Sequence, residues 1–296
     1  VLQGVMGLNR IFVMLSKATA SANRMDQVLQ APPDQRVLSP EEGLTPAGDE
    51  FIRFEHVSFR YNARSDDAPD REQCLTDISF AIRRGESLGI IGPTGCGKTT
   101  IINLLMRFYD VDRGEIRVDG QESRTLRRDS LRRAYAMVLQ DTWVFQGTIF
   151  ENIAYGREGA TLEEVQAAAR AARIHSYIMR LPQGYDTLLG EGGGNISKGQ
   201  KQLLTIARAM LYDTQMLVLD EATSNVDTTT ERQVQSAMRG MMQGRTSFVI
   251  AHRLSTIQNA DQILVVDHGD VVEQGTHREL MEKKGAYYRL YAAQFG

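Results

Sequence analysis

The chain has 296 residues, 42% hydrophobic and 24% charged, with a formal net charge of −3. That balance excludes wholesale disorder and gives no global electrostatic reason to bind DNA or anionic lipid. Two cysteines, Cys74 and Cys96, exclude a disulfide framework and suit a reducing compartment.

The most apolar stretch comes first, Val1–Leu15, but Asn9 and Arg10 interrupt it before it could span a bilayer. It lacks the charged start and small-residue cleavage site of a signal peptide. Residues 1–30 read as a helix, either the tail of a segment that continues upstream or an amphipathic docking helix. Residues 31–50 carry Pro32, Pro33, Pro40, Pro46 and Gly43 with few apolar neighbours, a linker composition. Phe51–Tyr61 alternates apolar and polar residues, which predicts a strand with one face in solvent. Polar residues 62–73 predict a loop, and Leu75–Ile82 a second strand.

From Ser87 the texture changes. Leu88–Ile91 is a short apolar run, followed by a helical pattern from Lys98 to Arg107. Similar runs recur at Tyr135–Leu139, Met216–Leu219, Ser247–Ala251 and Ile263–Val266. Each is too short for a helix, and as strands they would be buried on both faces. Helical segments lie between several of them, so the pattern predicts an α/β fold with a mostly parallel sheet covered by helices. Between Gln140 and Asp213 the pattern gives helices and loops and no strand. Thr161-Leu162-Glu163-Glu164 is a capping box that opens a helix to about Arg173. After Ser197, residues Leu203, Ile206, Ala207, Met210 and Leu211 share one helical face. The expectation is an α/β core over 51–139 and 213–296, with a helical subdomain inserted at 140–212.

Gly92-Pro93-Thr94-Gly95-Cys96-Gly97-Lys98-Thr99 fits G-x-x-x-x-G-K-[ST] between a strand and a helix. A triphosphate needs several donors converging on closely spaced oxygens, and a tight loop of backbone N–H groups supplies them. Glycines at 92, 95 and 97 admit that approach. The helix starting near Lys98 adds its positive end. Lys98 can reach the outer phosphates, and Thr99 can offer its hydroxyl to Mg²⁺. Cys96 reads as a small loop residue, since no base is evident nearby. Met216–Leu219 ends in Asp220 and Glu221, and parallel strands deliver functional groups at their C-terminal ends. Asp220 then serves the Mg²⁺ shell, leaving Glu221 as general base on a water. His252 follows another apolar strand and should emerge at the same edge. Arg124, Arg127, Arg128, Arg132 and Arg133 read as a solvated surface, with no nucleic-acid partner.

At this point the sequence resembles the nucleotide-binding domain of exporter-type ATP-binding-cassette (ABC) transporters, from Phe51 to the C-terminus. The matching segments occur in the family's order. Tyr61 stands as the aromatic A-loop residue, residues 92–99 as Walker A, Gln140 as the Q-loop and Ile196-Ser197-Lys198-Gly199-Gln200 as the signature. Asp220 and Glu221 follow as Walker B, Ser224-Asn225-Val226-Asp227 as the D-loop and His252 as the switch histidine. Residues 145–153 and Gly190-Glu191-Gly192 also look like exporter sequence near the coupling region.

The resemblance implies a P-loop NTPase (RecA-like) core with an antiparallel β subdomain, acting as a Mg²⁺-dependent ATPase. Tyr61 would stack on adenine, and Gly92, Thr94, Gly95, Cys96, Gly97, Lys98, Thr99 and Thr100 would surround the phosphates. Thr99, Gln140 and Asp220 would hold Mg²⁺, with Glu221, His252 and Gln140 acting on the γ-phosphate. Ser197, Gly199, Gln200 and Asp227 would address the nucleotide of a second nucleotide-binding domain, in a homo- or heterodimer. The remaining partners would be the same transporter's transmembrane domains, placing this part at the cytoplasmic face of the cell membrane. Residues 1–30 would then be the end of the last transmembrane helix and its extension.

One departure stands out: the family's usual signature is Leu-Ser-Gly-Gly-Gln, and this chain has Ile196 and Lys198 at its first and third positions. It keeps open an ATP-dependent dimerisation switch with little hydrolysis of its own. A chromosome-maintenance ATPase is disfavoured, because no sustained heptads separate Lys98 from Asp220.

Overall fold

The computed structural model describes residues 2–30, 50–61, 74–139, 142–220, 228–251 and 253–295. The chain divides into two units, 1–37 and 38–296. The first contains one 29-residue helix, α1 (Leu2–Gln30), exposed from Arg10 onward, with Ile11, Phe12, Met14 and Leu15 among its bare apolar side chains. No helix among the described residues is long and apolar enough to cross a membrane.

In the second unit β1 (Glu50–Phe59) pairs antiparallel with β2 (Leu75–Arg83), and β3 (Ser87–Ile91) opens a different sheet. After α2 (Lys98–Leu105), β4 (Arg113–Val118) lines the other edge of β1 and β5 (Gln121–Glu122) extends it, giving the order β2-β1-β4-β5. Then come α3 (Arg128–Arg133) and β6 (Tyr135–Val138). The next stretch holds β7 (Gly147–Thr148), α4 (Ile149–Ala154), α5 (Leu162–Ala171), α6 (His175–Ile178), β8 (Leu188–Leu189) and α7 (Lys198–Tyr212). The chain returns to the sheet through β9 (Met216–Asp220), α8 (Thr228–Met242), β10 (Thr246–Ile250), α9 (Leu254–Ile257) and β11 (Gln262–Asp267). It closes with β12 (Asp270–Gly275), α10 (His277–Lys283) and α11 (Ala286–Phe295).

The larger sheet runs β12-β11-β3-β10-β9-β6. Its strands are parallel except β12, which pairs antiparallel at one edge. The fold is thus a mixed α/β one, a parallel core beside an antiparallel β sheet. The apolar runs behave as their composition requires, because alternate residues enter different cores. Leu217, Leu219, Val249 and Val265 pack with the helices of the 140–212 insertion. Met216, Val218, Phe248 and Leu264 pack with α2 and the antiparallel sheet. No polar face is left, so these segments lack the alternation of a half-exposed strand.

Several details depart from the sequence reading. Two short strands, β7 and β8, pair within the region expected to hold none. A two-residue ladder carries no periodic signal. β4 (RGEIRV) and β12 (DVVEQG) are rich in charge and lie near or at sheet edges, where solvated groups are tolerated. The helix expected to reach Arg107 stops at Leu105, because Arg107 takes a left-handed conformation, φ 52°. Arg107 N–H bonds Leu104 O at 2.9 Å and Phe108 N–H bonds Asn103 O at 2.8 Å, a Schellman closure. The buried Arg107 guanidinium stabilises this turn by donating to Leu126 O at 2.6 Å and to Asp110 at 3.0 Å. Arg132, read as fully solvated, instead stacks over Phe108 at 4.9 Å and donates to the carbonyls of Met106 and Arg107. Burial in this setting pulls its pKa down from the ordinary arginine value.

Thr161 and Glu164 form the expected capping box, and Thr276 and Glu279 form another. Backbone N–H donation from Thr161 and Thr276 holds the two carboxylates below their ordinary range. A carboxyl whose folded pKa is depressed contributes its stability above the unfolded value and loses it as pH falls through the folded one. Thr161→Ala should lower the unfolding free energy by about 1 kcal/mol in urea titrations. Glu164→Gln, with no charge to lose, should flatten the acid limb of stability against pH.

Candidate functional site

The site grows from the parallel register. Ile250 of β10 lies opposite Ile90 of β3 on one side and Asp220 of β9 on the other. Three strand ends therefore open side by side, and the chain leaving β3 turns at once into the loop before α2. Gly92 is required there by close packing, since a Cβ on it would sit 1.9 Å from Val266 O. Gly97 caps α2 with φ 107°, a left-handed conformation open to glycine at little cost. The loop is sewn to its surroundings by Gly269 N–H donating to Cys96 O at 3.1 Å and Thr76 N–H to Gly269 O at 2.8 Å.

Lys98 is 7% exposed. Its ammonium donates to Gly92 O at 2.8 Å and Pro93 O at 2.7 Å, with Cys96 Sγ at 3.7 Å. The ammonium thus rests against the carbonyls of its own loop. A cavity of about 250 Å³ opens over it, lined by Thr94, Gly95, Gly97, Lys98, Thr99, Thr100, Asp220 and Ile250. The Thr99 hydroxyl and the Asp220 carboxylate are hard oxygen donors facing one pocket, the donor set that suits Mg²⁺. Among the described residues no cluster of three or more His, Cys, Asp and Glu offers a metal site of another kind. Cys96 is buried and contributes to the walls of the loop.

Tyr61, just beyond β1, packs against α2. Its hydroxyl lies 3.3 Å from Thr100 Oγ1 and 3.0 Å from Asn103 Nδ2. Its ring meets Phe59 and Tyr109 edge to face. Asn103 and Tyr109 were missed in the sequence, where only the adjacent aromatics Phe108-Tyr109 could have drawn attention to them.

Ser197 and Gln200 do not line the cavity; they cap α7. Gln200 N–H donates to Ser197 Oγ at 3.3 Å and Ser197 N–H to Gln200 Oε1 at 2.9 Å. Gly199 is buried between them and Lys198 is exposed. Gln140, Glu221, Asp227 and His252 lie outside the described residues. The backbone after position 252 is anchored: Arg253 pairs with Glu231 of α8, and Leu254 N–H donates to Gln294 of α11 at 3.0 Å.

The ABC transporter family model matches residues 75–224, about half the chain. The chain belongs to the ABC transporter family. An uncharacterised ABC transporter ATP-binding protein of Bacillus subtilis (strain 168) is 48% identical over 97% of this chain and 46% of its own length. A fatty acid ABC transporter ATP-binding/permease protein of Mycobacterium bovis is 48% identical over 94% of the chain and 43% of its own length. An ATP-dependent lipid A-core flippase of Desulfotalea psychrophila is 46% identical, over 95% and 47%. The solved structure of a bacterial Atm1-family ABC exporter with ATP bound superposes with a TM-score of 0.82 at 38% identity, covering 98% of this chain and 49% of that one. The chain spans a little under half the length of these curated relatives.

This ABC transporter chain is an ATP-binding domain close to exporter-type proteins. Lys98→Ala should weaken ATP binding by about 10- to 100-fold, the loss expected for charge-assisted hydrogen bonds. Titration calorimetry on the folded variant measures it, and unchanged affinity would remove the phosphate-loop assignment.

Proposed function

We propose that the chain is the ATP-hydrolysing motor of an ABC exporter, closing head to tail with a second nucleotide-binding domain around ATP to drive substrate across a membrane. The observation that carries this reading is a division of labour. Lys98, Thr99 and Asp220 share one cavity, while Ser197, Gly199 and Gln200 contribute nothing to its lining. A signature segment that does not complete the phosphate site of its own chain fits a role toward a partner's nucleotide. The positive end of the 15-residue α7, which starts after Ser197, suits a phosphate group.

In this reading Tyr61 stacks on adenine, and residues 92–100 enclose the phosphates with their amides. Thr99, Asp220 and Gln140 would hold Mg²⁺, which when bound neutralises charge on the phosphate oxygens. Glu221 accepts the proton of the attacking water, and His252 contacts the γ-phosphate. Asp227 and the signature residues face the other domain's ATP. Gln140 begins the inserted segment in sequence, so occupancy of the γ-phosphate position would be passed to its helices. The transmembrane domains of the same transporter are the partners that receive this motion, at the cytoplasmic membrane face. The exposed apolar residues of α1 support its reading as an extension of a membrane helix.

Lys198 favours a second reading beside this one. A lysine in the first turn of α7 opposes the positive helix end and adds charge at the segment offered to a partner. The chain then combines a competent Walker B strand with an atypical signature, and pairs with an unequal partner or works as an ATP-dependent dimerisation switch with slow hydrolysis.

Glu221→Gln should retain ATP binding and lower kcat roughly 10²- to 10⁴-fold in a phosphate-release assay; wild-type turnover would refute its role as base. Equal ATP turnover at both sites of a pure homodimer would overturn the unequal-partner reading.

A further inference from the structure

Tyr61 is a single aromatic residue beyond the end of a strand, and an unrestrained side chain there would lose rotamer freedom on stacking with a base. Its surroundings remove that freedom beforehand. On the backbone side, Arg60 N–H donates to Asp112 Oδ2 at 2.8 Å and Asp112 N–H donates to Ser58 O at 3.1 Å. The ring is boxed edge to face by Phe59 at 4.8 Å and Tyr109 at 5.0 Å, and those two rings lie 5.6 Å apart. The hydroxyl is held from α2, accepting from Asn103 Nδ2 at 3.0 Å and donating to Thr100 Oγ1 at 3.3 Å.

We infer that Asn103 is a positioning residue for nucleotide recognition, fixing the plane of Tyr61 relative to the phosphate loop. This inference rests on the reading that Tyr61 takes the adenine. Thr100 and Asn103 are spaced i, i+3 and so share one face of α2, the helix that begins at Lys98. One rigid element therefore sets both the phosphate end and the base end of the site. Asn103 is itself immobilised: its carbonyl accepts from Phe108 N–H at 2.8 Å in the turn that also presents Tyr109. The side-chain amide consequently projects from a fixed point, and the phenol it holds cannot swing without breaking that bond. Asn103 touches no part of the nucleotide in this scheme; it acts through Tyr61 alone.

The test compares ATP with tripolyphosphate, which presents phosphates without a base, by competition against a fluorescent nucleotide on the full chain. Asn103→Ala should weaken ATP roughly 2- to 10-fold, the worth of one hydrogen bond, and leave tripolyphosphate unchanged. Tyr61→Phe, which keeps the ring and loses the hydroxyl, should weaken ATP by a similar factor. In the Tyr61→Phe background, Asn103→Ala should add nothing further. An equal loss for ATP and tripolyphosphate, additive losses in the double variant, or unaltered ATP affinity in Asn103→Ala would each overturn the proposal. A separate arm, Tyr61→Ala, tests the underlying reading: an unchanged ratio of ATP to tripolyphosphate affinity there would show that Tyr61 does not serve the base at all.

Discussion

An ammonium group almost closed off from water, resting on main-chain carbonyls, is the interaction around which the rest of this chain is arranged. Lys98 is 7% exposed and its ammonium donates to the Gly92 and Pro93 carbonyls. Withdrawing a charge from water is expensive, and dipoles repay the loss only in part. The ammonium therefore stands beside a pocket whose remaining walls are backbone, hydroxyls, Ile250 and the Asp220 carboxylate. Everything nearby keeps that arrangement from relaxing: Gly92 is wedged under Val266 O, and Gly97 starts the helix in a backbone region where a side chain would be strained.

The sheet makes that loop possible. Parallel registry of β3, β10 and β9 brings Ile90, Ile250 and Asp220 level, so the loop and the carboxylate meet without a long excursion of chain. Two apolar layers grip the strands from opposite faces. Because the inserted helices share a layer with Leu217, Leu219 and Val249, a change in their seating is felt at the strands that end in the site. The other layer holds α2 and the antiparallel sheet, and through α2 it links Tyr61 to the loop at 92–97.

What could be read in the sequence was what local chemistry writes there. The glycine pattern at 92–97, the apolar strand before Asp220 and the Thr161–Glu164 box each depend on neighbours a few residues apart. One cavity is lined by Lys98, Thr99 and Asp220 together. β4 and β12 escaped because charged, sheet-edge strands carry little periodic apolar signal, and β7 and β8 because two residues carry none. Arg132 was misjudged as solvated since its partners, the carbonyls of 106 and 107, lie about 25 residues away in sequence. Asn103 and Tyr109 were invisible for the same reason, as their meaning comes from Tyr61 some 40 residues earlier.

The reciprocal bonds between Ser197 and Gln200 make the start of α7 self-sufficient. Residue 198 lies in sequence between the two and is exposed. Neither reciprocal bond uses its side chain, so a substitution there leaves both in place. The charge displayed at this helix start is thereby uncoupled from the architecture that carries it: one changes by single substitutions while the other stays constant.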